Sequence, residues 1–373
     1  MMLYSSKHYN YFDDMKITPT QSLSLSYVQA IGISFVVIGH LSITLFDLFK
    51  PYVFHMPLFF FLGGVLYKDR AAFKSVLKIL KKHIPYIIYT YIIISIIAIY
   101  LSNKFGFYVG TIYEPTIGET IKTIFKRNFN NNSFFLVAWF LFAYVLVSVL
   151  MTFILKIKSN SILFIFSLLS GYYGMTFLSL EYIHSDNQVF NLASQVSVGS
   201  MYYVLGHLFK DAYLKMKSPY IILISFIILV SINNVTPIIP IGMAWSKYGM
   251  SFYLHLITSM LCITTIFVIS NIVAEYYKEL SLVKLIDGYS KSIMSYHLLA
   301  FLLVDFVFYY LGMYDIKNSS GTKHYANKQF FTLYFMAGLF IPVLATYMIN
   351  SSINRMKIKY QSTIASFNSH QDI

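Results

Sequence analysis

The 373-residue chain is 57% hydrophobic, has only 12% charged residues and shows a mean hydropathy of +0.63. A soluble domain carries about 25% charged residues, so an ordinary soluble protein is excluded and a polytopic membrane protein is expected. The net charge of +13 does not imply nucleic acid, because Lys and Arg cluster beside apolar runs, where membrane topology accounts for them, and the single Cys262 excludes a disulfide framework.

Residues 1–23 read as a polar cytoplasmic tail without the short apolar core of a cleavable signal, so the first span itself is expected to direct insertion. Ten apolar runs of membrane length follow, at about 27–46, 52–67, 84–101, 134–155, 161–180, 196–209, 219–235, 250–273, 292–313 and 330–350. They predict an all-α transmembrane bundle of ten helices over 24–350, followed by a second polar tail at 351–373. Ser197, Gly199, Ser200 and Gly206 in the sixth run suit a helix buried among others. A cytoplasmic N-terminus places 19 of the 28 Lys and Arg in internal loops, which predicts an N-in, C-in arrangement with long outer loops at 102–133 and 314–329. The outer segment 181–195, with Glu181, His184, Asp186, Asn187, Asn191 and Gln195, reads as a solvated loop, or alternatively as groups that bond a glycan.

Only Asp47 to Val53 separates the first two runs, so they return as a hairpin with His40 and His55 near one membrane face. A first span ending Gly39-His40, followed by Phe54-His55-Met56-Pro57-Leu58-Phe59-Phe60-Phe61-Leu62-Gly63-Gly64, resembles the opening signature of the membrane-integral acyltransferase-3 family. Ala138-Trp139-Phe140-Leu141 and Tyr203-Val204-Leu205-Gly206 make the chain most similar to the fucose 4-O-acetylase-like, polysaccharide O-acetyltransferase branch. The resemblance implies transfer of an acyl group, most often acetyl from acetyl-CoA, to a surface polysaccharide or lipid-linked precursor. It also implies a bacterial inner membrane location, with acyl-CoA on the cytoplasmic side and a glycan acceptor outside.

The family pattern has an arginine eleven residues before the first-span histidine, where this chain has Gln29. Eleven residues are close to three turns, so Gln29 shares a helix face with His40 about 16 Å away, and small Ala30 and Gly32 leave room for a longer side chain there. Acyl transfer to a hydroxyl needs a base, and His40 is the candidate, since an unperturbed imidazole titrates near pH ~6.5. His55 is a second catalytic candidate that orients His40, binds acceptor or caps the turn.

Lys78, Lys81 and Lys82 recur at helical spacing ahead of Pro85-Tyr86, as in the family, and form a basic face for the CoA phosphates or for anionic lipid. The segment Asp287-Gly288-Tyr289 through Tyr296-His297 resembles a further family element, and opens the ninth span on the inner side. His297 is therefore expected to line the CoA side at a different depth from His40. Asp305, two turns further on, is the only acidic residue well inside a span and requires a partner such as a histidine or lysine of a facing helix; it is also a candidate for polarising His40. Trp139 is either a family feature or an outer-interface anchor. His207 and His255 read as structural, and no metal-ligand motif is present. A polysaccharide flippase would spread charges through several spans and an O-antigen polymerase would show outer arginines, yet Asp305 is nearly alone and Arg127 is the only outer arginine.

Overall fold

A computed structural model describes residues 17–41, 49–277, 280–325 and 328–369. The segment joining the first two helices, 42–48, and the first sixteen residues lie outside the described residues. Helix α1, Pro19–Gly39, starts earlier than the apolar pattern suggested. Thr18 and Gln21 form a reciprocal capping box, with Pro19 in the first turn, so the polar stretch before Tyr27 begins the helix, exposed at Thr18 to Thr20 and already buried at Ser24 and Leu25. Helix α2 spans Pro51–Val65 and α3 spans Ala72–Phe105, ending on Gly106 in the left-handed region.

The 106–137 segment carries the short α4, Ile117–Lys126, before α5, Ala138–Ile154. Helix α6, Asn160–Tyr173, continues through a π turn at Gly174–Leu178 into α7, Ser179–Ser185, and α8 spans Gln188–Tyr213. The outer loop expected at 181–195 is thus mostly helix, a correction. Only Asp186 and Asn187 turn the chain, with Asn187 capping α8 through Val189 N–H at 3.0 Å. Asn191 and Gln195 are fully buried and both donate to Ala244 O, in the loop that carries the hairpin of β1, Ile241–Gly242, and β2, Lys247–Tyr248. Helices α9, Pro219–Val235, α10, Phe252–Tyr276, α11, Ser281–Gly288, α12, Ser290–Tyr310, and α13, Phe331–Ser369, complete the chain. Helix α13 runs on through most of the predicted polar tail, where no Gly or Pro follows Pro342 to stop it.

Among the described residues six helices, counting α6 through α7 as one, are long and apolar enough to cross a membrane, and α2, α5 and α9 are shorter apolar helices, so the chain is a nearly all-α multi-pass membrane protein. Its loops gather at two ends. At one end Lys156 pairs with Asp69, Lys217 with Glu275 at 2.9 Å, and Ser24 with Asn271, whose amide also donates to Tyr213 O and Met216 O. At the other, Lys50 donates to Ile238 O at 2.9 Å, Asn128 to Gln195 at 2.5 Å, and Gly106 faces Lys317.

The centre is set by the approach of α2 to α8. A Cβ at Gly64 would stand 1.8 Å from Tyr203 O, and one at Gly206 would stand 2.0 Å from Phe61 O, so only glycine lets the two backbones meet. The Gly63-Gly64 pair and the Tyr203–Gly206 stretch are therefore two sides of one contact. Val198 to Gly206 are buried, as their small residues suggested.

Candidate active site

Helix α1 ends where it delivers His40. Gly39 abuts Pro51 and Tyr52 at the start of α2, and His40 caps the helix, half-buried. Four residues into α2, His55 is 2% exposed, and its Nδ1 lies 2.5 Å from Pro51 O. A carbonyl only accepts, so Nδ1 carries the proton and Nε2 keeps its lone pair. Tyr52 stands between the two histidines, its ring 6.0 Å from His40 and 4.9 Å from His55, with Oη 3.4 Å from His40 Nδ1. Tyr52 was absent from the sequence reading, although its place three residues before His55 on a helix was visible.

His297 corrects an expectation. It is not at a different depth from His40: the two rings are 5.0 Å apart, centroid to centroid. The cause is the pairing of α1 with α12. Gln29 donates to Ser290 Oγ at 2.6 Å and to Asp287 O at 3.4 Å, and further along both helices His40 of α1 meets His297 of α12. The two helices consequently run in the same sense. His297 is fully buried, and Nδ1 lies 3.0 and 2.9 Å from Ile293 O and Met294 O, which again fixes the proton there and leaves Nε2 without a hydrogen-bond partner among the described residues. Gln29 itself is occupied in holding α1 to α12, and the room expected beside it is filled: a Cβ at Gly32 would stand 2.9 Å from Leu58 Cδ2.

The basic face joins the histidines through Tyr86. Lys78, Lys81 and Lys82 are exposed on the first turns of α3. Tyr86 Oη donates to Lys291 O at 3.1 Å and meets Ser295 Oγ at 2.8 Å, two residues before His297. The Lys291 ammonium lies 3.6 Å from the Tyr86 ring centroid, adding a cation from inside the Asp287–His297 segment. Lys291 precedes His297 by six residues, roughly 9 Å along α12.

Asp305 does not reach His40. Its partners are Ser319, His324, the Tyr325 N–H and Tyr334, so the expected histidine is present but comes from the 311–325 loop. Trp139 is 6% exposed and packs edge-on to Phe140, which corrects the reading of an interface anchor: the first turn of α5 is tucked into the bundle. His255 Nε2 accepts the Met250 N–H at 3.1 Å and His207 lies edge-on to Tyr67, so both are engaged in packing. Among the described residues no three His, Cys, Asp or Glu side chains form a metal-binding group.

The structure thus brings together a half-buried imidazole, a buried one 5.0 Å away and a third behind Tyr52, with Lys291 six residues from His297 on the same helix. Residues 22–351 match the model of the acyltransferase domain that defines the acyltransferase-3 family. The chain belongs to that family. It is a membrane acyltransferase. No curated protein and no solved structure gives a significant match to the chain.

Proposed function

We propose that this acyltransferase is an O-acetyltransferase of the bacterial inner membrane, moving acetyl from acetyl-CoA to a hydroxyl of a surface polysaccharide or its lipid-linked precursor. The observation that carries the reading is the His40–His297 pair, joined by Tyr86 to the basic group of Lys78, Lys81, Lys82 and Lys291. CoA phosphates are anionic and need such cations, while the thioester at the end of the pantetheine arm needs an acid–base group at a distance. His40, the more accessible ring, is the catalytic acid–base residue; Tyr52, backed by His55, reaches its Nδ1, and His297 packs beside it. Gln29 in place of the family arginine leaves donor binding to the lysines.

In this reading the end marked by Lys156 and Lys217 is cytoplasmic and the acceptor arrives at the end of the 106–137 and 311–325 loops, in a ten-span, N-in, C-in arrangement with the 24–350 region as the catalytic domain. The common direction of α1 and α12 supports it, since both then enter from the cytoplasm. Membranes holding the protein and its endogenous acceptor, given radiolabelled acetyl-CoA, should label glycan in a His40-dependent manner. Label that enters glycan equally with His40→Ala would remove the assignment.

A further inference from the structure

Helix α12 leads to a further cluster of buried titratable groups, apart from His40 and His55. His297, Phe301 and Asp305 follow at four-residue steps on one face. The buried Asp305 carboxylate accepts from Ser319 Oγ and His324 Nδ1, both at 2.8 Å on Oδ2, and from the Tyr325 N–H at 3.0 Å and Tyr334 Oη at 2.5 Å on Oδ1. The His324 side chain is also fully buried. A carboxylate at Nδ1 fixes the proton on that atom, so Nε2 of the neutral ring presents a lone pair, and it is buried with no partner among the described residues. The Phe301 ring lies 5.2 Å from His324 and 5.7 Å from His297, whose own Nε2 is equally bare.

Holding the 311–325 loop does not require His324, because Ser319, Tyr325 and Tyr334 already bind Asp305 there. Two bare acceptors around one ring are costly unless a donor enters, and a hydroxyl is the donor this chemistry supplies. Along α12 the order Lys291, His297, Phe301, Asp305 also sets His324 at the far end from Lys291.

We propose that His324, oriented by Asp305, is a second acid–base residue of the transfer, the one that takes the proton of the acceptor hydroxyl. This rests on the acetyl-transfer reading above. The hydroxyl O–H breaks and its proton goes to His324 Nε2; the oxygen bonds to the thioester carbon and the C–S bond breaks. His40, entering as the imidazolium, protonates the leaving sulfur, and the proton on His324 returns to His40 before the next turnover.

The test uses membranes with endogenous glycan acceptor and radiolabelled acetyl-CoA. His324→Asn keeps an amide N–H near the place of Nδ1, and so the bond to Asp305, but removes Nε2. Transfer should fall at least about a hundredfold, with KM for acetyl-CoA within about threefold of wild type. Ser319→Ala, which removes one bond to Asp305 and leaves His324 intact, should keep transfer within about threefold. Near-normal transfer by His324→Asn overturns the proposal, and so does an equal loss in Ser319→Ala, which would make Asp305 a loop clamp only. Where His324→Asn does not accumulate, His324→Gln is measured at matched protein level by the same criterion. A wild-type protein that transfers no acetyl refutes the proposed function itself, whereas active wild type with active His324→Asn refutes only the role of His324.

Discussion

Gly64→Ala is the sharpest test of how the bundle is held. The added Cβ would stand 1.8 Å from Tyr203 O, 2.8 Å from Tyr203 C and 2.8 Å from His207 N, all backbone atoms of α8. A carbon rests about 3.3 Å or more from a carbonyl oxygen, so α2 and α8 must separate by roughly 1.5 Å. No rotamer change can relieve a clash with backbone, which places the cost at the upper end of the usual 1–3 kcal/mol for overpacking, about 3 kcal/mol. The separation also slides α2, and with it His55, away from the His40 pair. The internal reference is Gly118→Ala on α4, where nothing lies within 4 Å. That change should stabilise by up to about 1 kcal/mol through helix propensity. Thermal unfolding of both purified proteins in one detergent gives the comparison. If Gly64→Ala melts with wild type, the close backbone approach of α2 and α8 is refuted.

Three further outcomes are expected. Replacing Lys78, Lys81 and Lys82 together by Glu should raise KM for acetyl-CoA at least about tenfold with kcat less affected, and an unchanged KM would leave those lysines a topological role only. Gln29→Leu removes the donor to Ser290 and should cost about 1 kcal/mol in detergent unfolding while weakening transfer; wild-type stability would show that the α1–α12 junction does not depend on it. In a Cys262→Ser background, a cysteine at Ser75 should react with a membrane-impermeant reagent only after the cells are opened, and labelling of intact cells would invert the arrangement.

Much of the helical order was legible because apolar runs of membrane length announce themselves: the helices α2, α10 and α12 lie where their runs predicted, whereas α1 begins at Pro19, eight residues before its run of 27–46, and ends at Gly39, seven before the run does. Boundaries were less so. The start of α1 is set by the capping box of Thr18 and Gln21, which hydropathy does not register, and Asn191 and Gln195 suggested a loop because their burial against the 236–251 segment is a tertiary fact. At the site, the histidines could be named but not placed. His297 was assigned a depth from its distance to the start of its own span, whereas its level relative to His40 is set by the Gln29–Ser290 contact, which joins residues 261 positions apart. His324 was missed because an outer-loop histidine carries no pattern; the only signal was the requirement that Asp305 have a partner.

The central claim is tested most directly on the product. Mass spectrometry of the surface polysaccharide should be compared in cells with the intact gene, without it, and with the gene encoding His40→Ala at equal protein level. The account predicts one acetyl group per acceptor unit with the intact gene and none in the other two. Identical spectra in all three would contradict it.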